Sequence, residues 1–436
     1  MNVALAKIDK PEIAGEAFAA VRARVQEPVK IAAARTLAYD AFQRVGLPHR
    51  RIEDWKYTDL RALMKVVAPL APAPDAATLT RAEAAAKLHA IDGVRRIVLV
   101  DGVLAPSLSD LSALEQGVSI RSLRDALAGG DESLLSLDTA NPMVALNTAL
   151  MTDGVVIEVA AGAAIARPLH ILHIAASAAA TSATRTAVTL GEGASATLVE
   201  SYVAAEGATG YQVNDAAIVS VGDSARLEHV RIVEDARDAF NVSSAAVSVG
   251  THAKYNVFGI ATGGLVSRFQ AVVTIAGQHA EVITNGVNLL NGNQHADTTL
   301  TMNHDVPGCV SREGFRAVVD DRGHSVFQGR INVRQPAQQT DAKMMTRALL
   351  LSDDAEVDNK PELEIFADDV TCGHGAAIGA LDEQLLFYLR ARGLPEKQAE
   401  AMLIQAFVGE AIEAIADDNL RELVSGAAAR WLEARS

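Results

Sequence analysis

Cys372 and His374 are the residues of this 436-residue chain whose types and spacing point most directly to chemistry. They lie two apart in Pro361-Glu-Leu-Glu-Ile-Phe-Ala-Asp-Asp-Val-Thr-Cys-Gly-His-Gly375, which reads as a strand running into a loop. Leu363, Ile365 and Ala367 alternate with Glu362, Glu364 and Phe366, the period-2 pattern of a half-buried strand, and Gly373 and Gly375 free the backbone beyond it. If the Cys-Gly-His piece is extended, both side chains leave on one face with Cα atoms about 6–7 Å apart, so a thiolate and an imidazole can reach a common metal. Two donors do not close a site, because structural zinc and iron–sulfur clusters normally take four. A second chain would have to supply the rest. The alternative is a cysteine that packs as a small hydrophobe beside a hydrogen-bonded loop histidine.

The elements that must position this stretch begin near Gly154, where short Val-, Ile- and Thr-rich runs replace helical patterns for roughly two hundred residues. Gly193-x-x-Ala196, Gly222-x-x-Ala225, Gly250-x-x-Ala253 and Gly277-x-x-Ala280 recur at spacings of 29, 28 and 27 residues, each between β-prone runs. Leu351-Ser-Asp-Asp-Ala355 reads as a glycine-less relative. A near-constant period with strands on both sides of a turn predicts stacked coils of a parallel β-helix; a β-sandwich with chance spacing is the competing reading. Gly191-Glu-Gly193-Ala-Ser-Ala196 matches a dinucleotide fingerprint, but a β-prone run follows it where that fingerprint needs a helix.

Before the repeat, Ile31, Ala34, Ala38, Ala41 and Val45 recur at helical spacing, and Gly46 with Pro48 stops them. Trp55 in Arg51-Ile-Glu-Asp-Trp-Lys-Tyr-Thr58 is one of two tryptophans, either a packing anchor or an exposed docking site. Asp101-Gly102 between Arg96-Ile-Val-Leu-Val100 and Val103-Leu104 predicts a hairpin, and helical pattern returns through Leu111–Leu127 and Asn141–Met151. After the repeat, Ile404, Phe407, Val408, Ala411, Ile412 and Ile415 form an apolar helical stripe that Met402, Leu403 and Ala406 widen onto a second face. One face can pack on the body and the other on a partner, or the whole can be an internal cap. The expected organisation is a helical region with a short hairpin over 1–153, a β-helix core over 154–375 and a helical region over 376–436.

Composition excludes several classes. With 54 acidic and 39 basic residues the net charge is −15, which argues against a phosphate backbone as the main partner. Cys309 and Cys372 are too few for a disulfide framework and suit a reducing compartment. Charges interrupt Met1–Lys10 where a signal peptide needs its apolar core, and the uncharged run Pro168–Thr184 is short for a membrane helix and carries a β-prone Leu169-His-Ile-Leu-His-Ile174. The expectation is a soluble cytoplasmic protein that binds neither nucleic acid nor membrane. No Gly-Lys dipeptide occurs, so there is no P-loop and any ATP-driven step falls to a partner.

Four stretches in order resemble the SufB/SufD family of the SUF iron–sulfur cluster assembly system, most like its SufD members. These are Glu53-Asp-Trp-Lys-Tyr-Thr58; Gly292-Asn-Gln-His-Ala-Asp297 with His304; Phe327-Gln-Gly-Arg-Ile-Asn-Val333 with Ala337-Gln-Gln-Thr-Asp341; and Leu363 through Gly379 continuing into Asp382–Gly393. SufB relatives usually carry an N-terminal cysteine cluster, and this chain has no cysteine before Cys309. The resemblance implies a right-handed parallel β-helix flanked by N- and C-terminal helical regions, and a non-catalytic scaffold subunit. It also implies a complex with a SufB-like subunit and a SufC-like ATPase docking on the C-terminal helices, at Ile404, Phe407 and Val408, with a cysteine desulfurase as an indirect sulfur donor. A transient iron–sulfur cluster or iron would be shared with the partner at His374 and Cys372, the histidine being the more closely tied to cluster formation. A flavin is left open. One departure is Gly373, where the family more often has serine.

Other classes make contrary predictions. A carbohydrate-active β-helix protein needs aromatic platforms, and aromatics are only 4% of this chain. A thiol enzyme using Cys372 with His374 needs a rigid dyad and an orienting third group, which the two glycines and the sequence do not offer. A structural adaptor would carry no ligand. His229, His252, His279 and His295 read as loop or core residues of the repeat.

Overall fold

Val, Ile, Thr and Ala dominate the strands after Gly154, in runs of about ten residues whose alternate side chains face one interior. The structure, a computed structural model, describes residues 14–435. The Met1–Lys10 stretch read against a signal peptide lies outside them. Among the described residues the strands build one sheet of ten and one of nine, and from Asp153–Val159 onward successive strands alternate between the two. Apart from two antiparallel pairs near the N-terminal end, the named strands pair in parallel, as in Val266–Ile275 with His295–His304. The result is the expected parallel β-solenoid, of about eight turns, with helices at both ends. Its interior is one stacked core that includes Ile157, Leu190, Val219, Val249, Ile275, Met302 and Ile331.

The repeat is real but its first register shifts by two. Ser195 pairs with Arg226, so Ala194 rather than Ala196 stands in line with Ala225, and the turns are Gly191-x-x-Ala194, Gly222-x-x-Ala225, Gly250-x-x-Ala253 and Gly277-x-x-Ala280. The third residue of each is left-handed: Gly193, Ser224, His252 and His279 have φ between 55° and 65°. Glycine leads the turn because coils approach closely there; a Cβ on Gly277 would lie 1.8 Å from the Thr251 nitrogen. Cys309 continues the alanine column one coil on, fully buried. Leu351–Ala355 belongs to the opposite corner, between strands Thr340–Leu350 and Glu356–Ile365.

Helices Gly15–Arg24, Val29–Val45 and Pro142–Leu150 cover the outer face of the nine-stranded sheet, where Phe18, Phe42 and Leu146 join Val156, Ala183 and Val242. Asn141 caps the third helix by accepting from the Met143 N–H. The hairpin forms with Asp101 and Gly102 at φ 46° and 78°. Its first strand, Arg95–Val100, also pairs with Leu169–Ala175 and so starts one sheet of the solenoid. The helical pattern of Leu111–Leu127 survives only as Leu123–Ala128, because Val118–Ser122 pairs with Asp153–Val159 and sheet hydrogen bonds outweigh weak local propensity.

Trp55 is a packing anchor, 2% exposed. The Arg268 guanidinium lies 4.0 Å from its ring centroid, donates to the Asp54 carbonyl at 2.6 Å and pairs with Asp297, both charges being fully buried. Thr58 Oγ1 contacts His295 Nε2 at 2.9 Å and bonds Asp297. Glu53 pairs with Lys360 on strand Glu356–Ile365 of the last coil. On the other side, helices Glu396–Ile412 and Asp418–Arg435 cover the ten-stranded sheet, with Ile404, Val408, Val424 and Trp431 packed on Val230, Phe258, Val287 and Val318. No helix among the described residues is long and apolar enough to cross a membrane.

Candidate functional site

The Cys-Gly-His segment is a strand, not a loop. Val370–Gly379 is the last strand of the ten-stranded sheet, and Cys372 and His374 register with Ala342 and Met344 of the preceding strand. Ala342 and Met344 belong to the interior core, so period 2 turns Cys372 and His374 toward the solenoid axis at its open end. The thiol is half-buried against that core and the imidazole is exposed at the rim. Backbone pairing, which sequence alternation did not show through the glycines, supplies the rigidity that a loop would lack. A Cβ on Gly373 would meet nothing within 4 Å, so the serine expected at this position would fit as well.

Strands Glu356–Ile365 and Val370–Gly379 are the outermost of their sheets and pair on one side only. Pro361, which has no N–H to donate, sits in the first of them, as an edge permits. Exposed Ile365, Phe366 and Ile378 surround this end. The Val370–Gly379 edge carries no Pro, Lys, Arg, Asp or Glu, and with apolar residues about it is a surface on which another chain can continue the sheet.

Burial pushes the Cys372 thiol above its ordinary pKa, and the negative charges of Asp341 and Glu313 add to the effect. A metal arriving here must therefore displace a proton. Glu313 lies two strands behind His374 in the same column, through Met344, 3% exposed and with neither carboxylate oxygen hydrogen-bonded. Burial raises its pKa to about 8. The folded protein thus keeps a proton that the unfolded chain releases near pH ~4.3. This carboxyl's contribution to stability is full below that pH, falls as pH rises and is gone above about 8. Glu313→Gln should gain on the wild type across that window, by at most ~1.4 kcal/mol per pH unit. Denaturation midpoints from pH 5 to 8 measure this; parallel losses in both proteins would mean Glu313 is ionised in the fold.

The residues expected to dock the ATPase lie on helix Glu396–Ile412. Ile404 and Val408 are 0% and 2% exposed in the core beneath the C-terminal helices, and Phe407 is half-buried under the Arg316 guanidinium, 4.8 Å from its ring centroid. The inner face of the stripe, Ile404, Val408, Ala411 and Ile412, packs on the sheet and the neighbouring helix, while Met402, 45% exposed, and Ala406 on its second face stay open. A larger free apolar surface is on helix Glu383–Ala391, capped by Asp382, which buries none of its residues; Leu385, Phe387 and Tyr388 are 52%, 74% and 54% exposed. Its signal in the sequence was a Phe-Tyr pair beside three leucines in a chain poor in aromatics.

The repeat-region histidines take structural roles. His229 contacts Glu200 and Tyr255, and His295 contacts Thr58. His252 and His279 stack at successive turns with centroids 5.2 Å apart. His304 is fully buried, Nε2 to Ser311 Oγ at 3.0 Å, and burial lowers its pKa to about 4.

Two of the quoted sequence stretches meet in the Trp55 node, and the other two build the last coils and the exposed helix. Comparison with known proteins agrees in extent. Residues 173–407 match the family model described as "SUF system FeS cluster assembly, SufBD core domain", and residues 17–171 match the "SufBD protein N-terminal region". The chain is 32% identical to the iron–sulfur cluster assembly protein SufD of Escherichia coli over 394 residues, 87% of this chain and 88% of that protein. It is 30% identical to a SufBD family protein of Synechocystis, over 87% and 86% of the two chains. It is 28% identical to the chloroplastic protein ABCI7 of Arabidopsis thaliana, over 74% and 71%.

Proposed function

Because the chain belongs to the SufBD family of the SUF iron–sulfur cluster assembly system, we propose that this SufD-like protein is a scaffold subunit whose open solenoid end forms half of a composite cluster-assembly site with a SufB-like partner. One observation carries the reading: Cys372 and His374 share a face of an edge strand, paired on one side only, at the mouth of the solenoid. Two donors at an edge that another chain can extend are an incomplete site in a place where it can be completed. The nascent cluster is cargo here, and ligands divided between two chains release it when the chains move apart.

The chain has no P-loop, so the motion is assigned to a SufC-like ATPase docking on helix Glu383–Ala391, beside the groove lined by Phe387, Leu394 and Pro395. Sulfur reaches the complex from a cysteine desulfurase. A flavin is no part of this reading. The test is anaerobic reconstitution of the chain alone and with SufB-like and SufC-like subunits, assaying iron and acid-labile sulfide. Cluster is expected only in the complex. A full, stable cluster on the chain alone would sink the shared site.

A further inference from the structure

A second group of ligand-type side chains lies inside the solenoid near its other end. His173, Glu200 and Asp215 come from strands Leu169–Ala175, Ser195–Ala204 and Gln212–Val221. Each has the inward parity of core neighbours on its own strand, Ile171, Leu198 and Ala217. They are 7%, 1% and 1% exposed, and one ligand atom from each lies within 4.8 Å of the other two.

The partners of these groups account for only part of their capacity. Glu200 Oε2 contacts His229 Nε2 at 3.0 Å and Arg231 Nε at 3.3 Å. Asp215 accepts from Thr184 Oγ1 at 2.5 Å and from the Tyr202 hydroxyl at 2.7 Å. The His173 ring stacks on Tyr202 with centroids 4.3 Å apart. Yet His173 Nε2 and Glu200 Oε1 have no hydrogen-bond partner. Buried polar networks close their atoms, so two open lone-pair positions in one cluster call for an occupant. A cavity of about 10 Å³ lined by His173, Thr184, Tyr202 and Asp235 adjoins it, room for one water-sized body. Burial opposes ionisation of Glu200, but Arg231 and His229 hold its pKa well below the usual range, so it is an anionic donor.

We propose that His173, Glu200 and Asp215 form an enclosed site for one divalent first-row transition ion of the iron(II) or manganese(II) type. One imidazole and two carboxylates without a thiolate select such ions over soft copper(I). Arg231 and Tyr202 hold the carboxylates from behind, as outer partners do at metal sites. Seven strand spacings, roughly 34 Å, separate the His173 strand from the Cys372 strand, and six, roughly 29 Å, separate the Glu200 strand from it. The chain supplies all three donors, so occupancy needs no partner subunit and is independent of cluster assembly at the open end.

The test uses the full chain carrying Cys372→Ser and His374→Ala, which removes the ligands at the rim, dialysed anaerobically against manganese(II). One bound ion per chain is expected, with nitrogen coupling from a single imidazole in pulsed EPR. His173→Gln, which leaves the hydrogen bonds of Glu200 and Asp215 to their other partners in place, should weaken binding at least ~10-fold and abolish the coupling; Glu200→Gln should weaken it similarly, with circular dichroism confirming the fold of each. No bound manganese in the folded double variant, bound manganese without nitrogen coupling, or unchanged affinity in folded His173→Gln would each overturn the site.

Discussion

A complex carrying His374→Ala should assemble with its partners and yet form clusters at least ~10-fold more slowly than wild type, the least that loss of even an outer-shell group typically costs a metal site. Assembly should survive because the imidazole is exposed at the rim and no core packing depends on it, while strand Val370–Gly379 keeps its backbone pairing with Thr340–Leu350. Cluster formation should fail because, on the proposed reading, the histidine exposed at the rim is the donor that a second chain can share. Neutral imidazole also holds iron less tenaciously than thiolate, which suits a ligand that must let go. Cys372→Ser should be milder, since that thiol leans on the core and its raised pKa keeps it protonated until a metal displaces the proton. Iron and sulfide incorporation in the purified complexes measures both. An assembled His374→Ala complex that builds clusters at the wild-type rate would return the pair to a structural role.

The other large effect concerns ATPase recruitment. Replacing Leu385 and Phe387 with Asp should abolish co-purification of the SufC-like subunit while leaving the fold intact, because helix Glu383–Ala391 buries none of its own residues. Interfaces concentrate their energy in a few apolar and aromatic anchors, each costing ~2 kcal/mol or more when lost, so two such changes amount to roughly a thousandfold in affinity. Phe407→Asp and Val408→Asp would be misleading probes. Val408 is packed among Ile404, Ile412 and the sheet, so its replacement unfolds the cap and loses the partner for the wrong reason. Retention of the ATPase by a folded Leu385→Asp/Phe387→Asp variant would place the docking surface elsewhere.

Much of this architecture is legible in the chain because a solenoid is nearly one-dimensional: each coil repeats the local problem of the last. Turns near Gly222, Gly250 and Gly277 recur at coil length, inward positions alternate, and helical spacing marks both ends. The pairing of Cys372 with His374 is also a local fact, since residues two apart share a face in any extended strand.

The tertiary structure decided what that local pattern could not. Whether Cys372 and His374 stand on a loop or a strand depends on backbone bonds to Thr340–Leu350, thirty residues earlier in register. An apolar stripe shows that a helix face is covered but not by what, and Ile404 and Val408 proved to face their own sheet while Leu385 and Phe387 were left open. His173, Glu200 and Asp215 are single polar residues inside separate apolar strands, unremarkable one by one. They meet because coil stacking sets the strands of His173 and Glu200 side by side, ~4.8 Å apart, while Asp215 faces them from the other sheet, a proximity that periodicity along the chain does not announce.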